Sequence, residues 1–323
     1  MIKNLTLGIA VLFGCVTTAL AQPYPNRPIT VVVPFAAGGP IDTTTRIVTD
    51  KMKDILGQTF VIENVGGAAG SIAAARVAKA APDGYTLITG IWGTHVANGA
   101  VYKLSYDVKD DFAPIGLISS NPILIVSSKK VQANSLKELI DWLKANPEKA
   151  SQGTSGVGSV GHIAGAFFHS QTGTKFRFIP YRGLAPAMQD LVAGNIDLMF
   201  DTPATSLPQV KNGSIRAFAV TSAKRLPAAP DIPTVDEAGL AGFHISTWTA
   251  LFAPKGTSKD VIATLNGALQ KALADPAVRE RLSAVGQEAY PPEQQTTEFL
   301  VKFQADEIAK WWPIIKGAGI TAN

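Results

Sequence analysis

The sequence predicts an α/β fold of two lobes with a ligand cleft between them, and three observations carry that prediction. Short β-branched runs alternate with stretches of helical spacing, which argues for parallel sheets built from βαβ units. The alternation occurs in two sets, and two apolar, strand-like segments without Gly/Ser slack, Asn121–Ser127 and Ser246–Phe252, lie between them as crossings would. Each set also contains a glycine-rich loop where a strand runs into a helix. The expected division is residues 22–122 with 250–323 in one lobe and 123–249 in the other. Two lobes joined by paired strands have a cleft and a hinge, and closure around a ligand is a familiar use of that layout.

Composition sets the outer limits. The 323 residues are 46% hydrophobic and 17% charged, which excludes a disordered or collagen-like chain. With 29 Lys and Arg against 25 Asp and Glu, the net charge is only +4. No window carries the dense basic stripe that phosphate-backbone binding requires, so nucleic acid is not an expected partner.

The elements follow in order. Lys3 precedes the apolar run Leu5–Val16, and Ala19-Leu20-Ala21 closes it, the pattern of a secretory signal peptide. The run falls short of the ~18–20 residues of a membrane span. Cleavage is expected after Ala21, leaving Gln22 first. The sole cysteine, Cys15, then lies in the removed piece, and the mature chain relies on its core without a disulfide. An alternative reads Leu12-Phe13-Gly14-Cys15 as a lipoprotein box with Cys15 acylated, although Phe13 is large for that box.

Ile29–Phe35 is nearly all apolar, as a strand buried on both faces should be. Asp42–Leu56 places Val48, Met52, Ile55 and Leu56 at helical spacing. Phe60–Glu63, Ser71–Ala80 and Tyr85–Thr89 continue the alternation, and Ser135-Leu136-Lys137-Glu138 is a capping box opening a helix that Asn146-Pro147 ends. The second set runs Ser159–Gln171, Phe176–Tyr181, Ala185–Val192, Ile196–Phe200 and Ile215–Thr221. The C-terminal third is helical: Lys259–Ala274, Ala277–Val285 and Thr296–Lys316.

Two loops carry the candidate chemistry. In Pro34–Asp42, Gly38 and Gly39 permit positive φ and close approach of a ligand, and the following helix start favours an anion. Thr154–His162 has the same character in the other half, with three small hydroxyls as uncharged donors. Each loop alone is equally a tight turn; one in each lobe points to a ligand beyond the strands' carboxyl ends. Two such helix starts facing across a cleft suit a ligand with two carboxylates.

The spacing Gly156-x-Gly158-x-x-Gly161 matches a dinucleotide fingerprint, but Lys149–Gly153 is polar and short for the required buried strand. Phe176–Tyr181 also ends in Arg182-Gly183 rather than an acid. Neither Ser155 nor Ser159 fits G-x-S-x-G, and the four histidines form no zinc motif, so neither a catalytic centre, a cofactor nor a metal is expected. His162 either touches the ligand or bonds backbone at the helix start. Asp201 either faces the cleft from a strand tip or caps the next helix. Trp311-Trp312-Pro313 reads as packing.

At these residues the chain resembles a known family. Tyr24–Ile29, PFAAGGPID, ENVGGAAGS (Glu63–Ser71), APDGYTL (Ala81–Leu87), GTSGVGSVGH, Pro180–Asp201 and Asp231–Leu240 occur in one order along essentially the whole mature chain. They look like the periplasmic binding proteins of tripartite tricarboxylate transporters, the Bug family first described in Bordetella. The resemblance implies a type II-like, two-lobed periplasmic binding protein without catalysis. It implies a small carboxylate ligand: a di- or tricarboxylate, an acidic amino acid or an aromatic acid. That ligand is held by main-chain amides, hydroxyls and water rather than Arg clamps.

By position, the resemblance places Phe35, Ala37, Gly38, Gly39 and Asp42 on one side of the ligand, and Thr154, Ser155, Gly158, Ser159 and His162 on the other. Thr94, His95 and Asn98 fall at a polar cluster of the cleft, and Asp201 at the pocket rim. The chain departs from many members at Val65-Gly66, where they carry Arg-Pro, and at Trp92, where they carry a smaller residue. The implied role is a monomeric receptor delivering an organic acid to the membrane subunits of a transporter. The same module could instead serve a sensor kinase. An exported hydrolase is the third reading, for which no nucleophile–base pair is found.

Overall fold

The computed structural model describes residues 24–147, 149–181 and 183–322. The expected signal peptide, its cleavage site and Cys15 lie outside the described residues. No helix among those described is long and apolar enough to cross a membrane.

The chain opens with β1 (Ile29–Val33), α1 (Pro40–Leu56), β2 (Phe60–Asn64), α2 (Ser71–Ala78) and β3 (Thr86–Ile91). A π-helical turn, Gly93–Ala97, leads into the short α3 (Asn98–Val101) and then the long strand β4 (Phe112–Pro122). The middle of the chain holds β5 (Leu124–Ser128), α4 (Leu136–Ala145), β6 (Ser151–Thr154), α5 (Val160–Thr172) and β7 (Arg177–Pro180). It continues with α6 (Leu184–Ala193), β8 (Leu198–Asp201), α7 (Pro203–Lys211) and β9 (Ile215–Val220). The last part comprises β10 (Ser246–Pro254), α8 (Lys259–Ala274), α9 (Pro276–Ala284), β11 (Glu288–Ala289) and α10 (Thr297–Gly317).

These strands form two sheets, ordered β11-β4-β10-β3-β1-β2 and β7-β6-β8-β5-β9. In the first, β2, β1 and β3 are parallel, and β10 runs antiparallel between β3 and β4. In the second, β7, β6 and β8 are parallel while β5 opposes β8 and β9. The parallel strands carry the βα loops, so both glycine loops leave the carboxyl ends of strands, where α/β sheets bind ligands.

The chain passes from β4 to β5 through Ile123 alone and returns into β10 at Ser246. Thr221 ties both passages: its hydroxyl accepts the Ile123 N–H at 2.9 Å and donates to the Ile245 carbonyl at 2.5 Å. Helix starts follow their caps. Ser135 accepts from the Glu138 N–H at 3.1 Å, and Ser258 and Thr296 do the same for α8 and α10.

One sequence expectation needs correction. Ser151–Thr154 is polar and short, yet it is the fully buried strand β6. The donors of Ser151 and Gln152 find partners inside: Ser151 N–H and Oγ both donate to Asp197 Oδ2, at 2.8 and 2.9 Å, and Gln152 Nε2 donates to the Gly161 carbonyl at 2.7 Å, while Gln152 Oε1 is left unpaired. A polar strand is buried at low cost when its donors find partners. The other departure from the dinucleotide fingerprint stands: the next strand, β7, ends at Pro180 and is followed by Tyr181-Arg182-Gly183 rather than an acid.

Beneath the first sheet, Met52, Leu265, Leu269 and Leu273 join α1 and α8 to Ile29, Val31 and Leu87. Each such fully buried side chain contributes about 1.5–3 kcal/mol. A second cluster runs through both sheets, linking Trp92, Trp248, Phe252 and Trp311 to Phe167, Phe168, Phe200 and Phe243.

Candidate functional site

A cavity of about 620 Å³ opens where the two sheets' loops meet. Phe35, Ala69, Trp92, Asn98 and Tyr102 line it from the first sheet, and Ser155–Val160 from the second, with Thr247 of β10 between them. None of its lining residues is Lys, Arg, Asp or Glu. Recognition there must come from amides, hydroxyls and helix ends.

The β6–α5 loop supplies most of those groups. Gly156 and Gly158 adopt φ of +114° and +75°, which a β-branched residue resists. Ser159 caps α5, its Oγ accepting from the His162 N–H at 3.3 Å. First-turn amides of an α-helix have no intrahelical partner, and the helix dipole adds positive potential there. Thr154 is buried beneath the loop, its hydroxyl accepting from the Gly156 N–H at 3.3 Å.

His162 faces elsewhere. Its Nδ1 accepts the Gly158 N–H at 3.2 Å, its ring packs edge-on against Phe178, and it lines a separate cavity with His169. Burial pushes its pKa below the usual imidazole range, which keeps Nδ1 an acceptor. Of the two roles expected for His162, backbone bonding at the helix start is the one seen.

In the β1–α1 loop only Phe35 reaches the cavity. Gly38 has φ +78°, and its N–H donates to Asp42 Oδ2 at 2.8 Å. Asp42 is buried and also accepts from Arg46 Nε and Asn64 Nδ2, both at 3.0 Å. The Arg46 hydrogen bond holds its carboxyl below the usual carboxylate range. Ala37 is exposed and Gly39 half-buried beside this knot, away from the cavity lining.

Thr94 and His95 lie underneath the cavity. Thr94 Oγ1 is 2.9 Å from His95 Nδ1, and the His95 ring stacks on Phe252. Complete burial pushes His95 down to about 3, so it is neutral. Asn98 reaches the cavity while its Nδ2 donates to the Ala69 carbonyl and to Ser71 Oγ, each at 3.1 Å. Asp201 is buried and accepts from Ser206 Oγ at 2.6 Å and Thr205 Oγ1 at 3.3 Å, bracing the first turn of α7. Its burial pushes the carboxyl pKa up. The geometry thus gathers Phe35, Asn98, Ser155, Gly158 and Ser159 around one cavity and sets the other nine behind or beside it.

Sequence reasoning passed over a third loop. Gly67, Ala68, Ala69 and Gly70 have consecutive positive φ of 121°, 46°, 52° and 85°. The two alanines hold left-handed conformations that cost roughly 1–3 kcal/mol each and cluster at functional sites. Gly66-Gly67 and Gly70 were the available signal. Tyr102, just past the short α3, had none, and Trp92 stood out only as a large residue where similar chains carry a smaller one.

Residues 44–320 match the tripartite tricarboxylate transporter family receptor. The chain belongs to that family. The receptor is similar to the periplasmic binding protein BugD, with 39% identity and a TM-score of 0.77 over 93% of this chain and 100% of BugD. It is similar to MatC from Rhodopseudomonas palustris with bound malate, at 38% identity and a TM-score of 0.77, covering 90% and 100%. R. palustris Rpa4515 with adipate matches at 35% identity and a TM-score of 0.80, covering 93% and 100%. The receptor therefore has the α/β periplasmic binding protein fold that its sequence implied, in a family of binding proteins.

Proposed function

We propose that this receptor is a periplasmic solute-binding protein that takes a small organic carboxylate into the cavity and delivers it to the membrane subunits of a tripartite tricarboxylate transporter. The observation that carries this reading is an uncharged, 620 Å³ cavity with a capped helix start, Ser159 at α5, on its wall. Uncharged donors and a helix dipole favour an anion without trapping it, which suits a carrier that must release its load. The relatives that hold malate and adipate support the ligand class.

Phe35, Asn98, Ser155, Gly158 and Ser159 contact the acid in this reading. Ala37, Gly38, Gly39, Asp42, Thr94, His95, Thr154, His162 and Asp201 shape the walls. Residues 22–122 with 250–323 close as one lobe on 123–249 through the two passages that Thr221 ties. The protein works as a monomer and performs no chemistry on its ligand. The signal peptide is cleaved after Ala21, and mass spectrometry of the native protein should find Gln22 first; an acylated Cys15 would refute that.

A thermal-shift screen of malate, adipate, citrate, glutamate and benzoate tests the function. A ligand at 100 times its Kd should add about 2.7 kcal/mol. Turnover of an ester panel by pure protein, with no stabilisation by any acid, would overturn the assignment.

A further inference from the structure

Helix α10 lies behind the cavity, and three of its residues reach the turn that carries Trp92. Gln304 Nε2 donates to the His95 carbonyl at 2.9 Å, and Trp312 Nε1 donates to the Val96 carbonyl at 2.9 Å. Between them on the same helix sits Glu307. Trp311 Nε1 donates to Glu307 Oε2 at 3.3 Å, and Trp311 meets Trp92 edge-on with centroids 5.5 Å apart.

The indole N–H groups of Trp92 and Trp248 are buried and have no hydrogen-bond partner. A buried donor left unpaired is costly, so its surroundings need an account. Burial pushes the Glu307 carboxyl up; Lys310, then Trp311, Trp248 and Trp92 act against that by favouring the ionised form. Trp92 is linked to this carboxylate through Trp311, whose N–H bonds Glu307 and whose ring Trp92 meets edge-on.

Glu307 also lines a small cavity of about 280 Å³ with Pro122, Thr221 and Ser246, the residues of the two passages between the sheets. The other ionisable side chains lining that cavity are Lys310 on α10, Tyr290 after β11, and His244, which is paired with Asp236 at 2.8 Å. Lys310 is held by the His244 carbonyl at 2.8 Å.

We propose that Glu307 is a positioning residue: by holding the indole N–H of Trp311, against which Trp92 packs edge-on, it fixes Trp92 as the rear wall of the cavity and sets the size of acid admitted. The inference rests on the carboxylate-receptor reading for its binding arm. Trp92 lines the cavity and packs on Trp311 behind it. Gln304 and Trp312 fix the backbone of the same turn, so only the Trp92 side chain is left for Glu307 to hold.

The test has one arm without ligand. Nitrogen-15 labelling of the five tryptophans gives one indole N–H signal each. The Trp311 signal should shift as Glu307 titrates, with the Trp92 signal moving alongside it, and Glu307→Gln should abolish both shifts. A Trp92 signal that ignores Glu307 overturns the proposal.

The second arm measures Kd for malate and adipate. Glu307→Leu should weaken the preferred acid at least tenfold and reduce the ratio between the two acids, while Glu307→Gln, which keeps an acceptor, stays within about threefold. In a Trp92→Phe background Glu307→Leu should have little further effect. Additive losses in that cycle would overturn the positioning role. If the Trp311 and Trp92 signals titrate together and neither acid, nor any other in the screen, binds, the carboxylate reading fails while the link from Glu307 through Trp311 to Trp92 stands.

Discussion

Gly158 and Val101 meet across the cleft: a β-carbon on Gly158 would lie 2.8 Å from Val101 Cγ1. Gly158 belongs to the β6–α5 loop and Val101 to α3, so the contact joins the two sheets' loops beside the cavity. The glycine is needed twice over, for its φ of +75° and for the missing side chain. Gly158→Ala should weaken carboxylate binding at least tenfold and leave the particle more open in small-angle scattering. Adding Val101→Ala should restore part of the affinity. Equal Kd values for Gly158→Ala and its parent would show that this approach is unrelated to binding.

Gly38→Val should behave differently, although Gly38 also has a positive φ. Its N–H is committed to Asp42 and nothing lies within 4 Å of the position its β-carbon would take. The left-handed strain should cost about 1–2 kcal/mol of folding stability. Calorimetric titration of the folded variant should find Kd within twofold of the parent, and urea melts should register the strain.

Ser159→Ala removes the α5 cap, which accepts from the His162 N–H. Loss of a cap costs about 1 kcal/mol of stability. If Ser159 also touches the acid, affinity should fall by a further ~0.5–1.5 kcal/mol, the net worth of one hydrogen bond. Melts and titrations on the same preparation separate the two losses.

Acid should destabilise the receptor through its buried histidines. Burial lowers His95 to about 3 and His169 to about 4, and lowers His162 as well. The unfolded chain, with imidazoles near 6.5, binds more protons than the folded one between those values. The contribution is therefore complete above ~6.5 and is lost as pH falls toward the folded values. Urea denaturation at pH 7, 6 and 5 should show falling stability, and His95→Gln should flatten the slope. An unchanged slope would assign the acid sensitivity to other groups.

Much of this molecule was legible in the order of its residues. Ile29–Val33 reads as a doubly buried strand because nearly every side chain is apolar, and α8 is visible from its leucine spacing. The β6–α5 loop announced itself because positive φ needs glycine, and glycines are easy to see. The family could be named from ordered motifs alone. Local rules suffice wherever the cause is local: a cap, a turn, a period of two or 3.6.

Tertiary structure decided the rest. β6 looked too polar for a core strand, because its partners Asp197 and Gly161 are distant in the chain or on the next helix. The sequence left His162 between ligand contact and backbone bonding and read Gly38 as a ligand contact; in the structure His162 Nδ1 accepts from the Gly158 N–H and the Gly38 N–H donates to Asp42. Trp92 came to the cavity through a π-helical turn buttressed by α10, over 200 residues later in the chain. Which polar groups remain free for a ligand depends on which have already been paired, and for Ser151, Asn98 and the turn after Trp92 that pairing is set by contacts distant in the chain that no local pattern records.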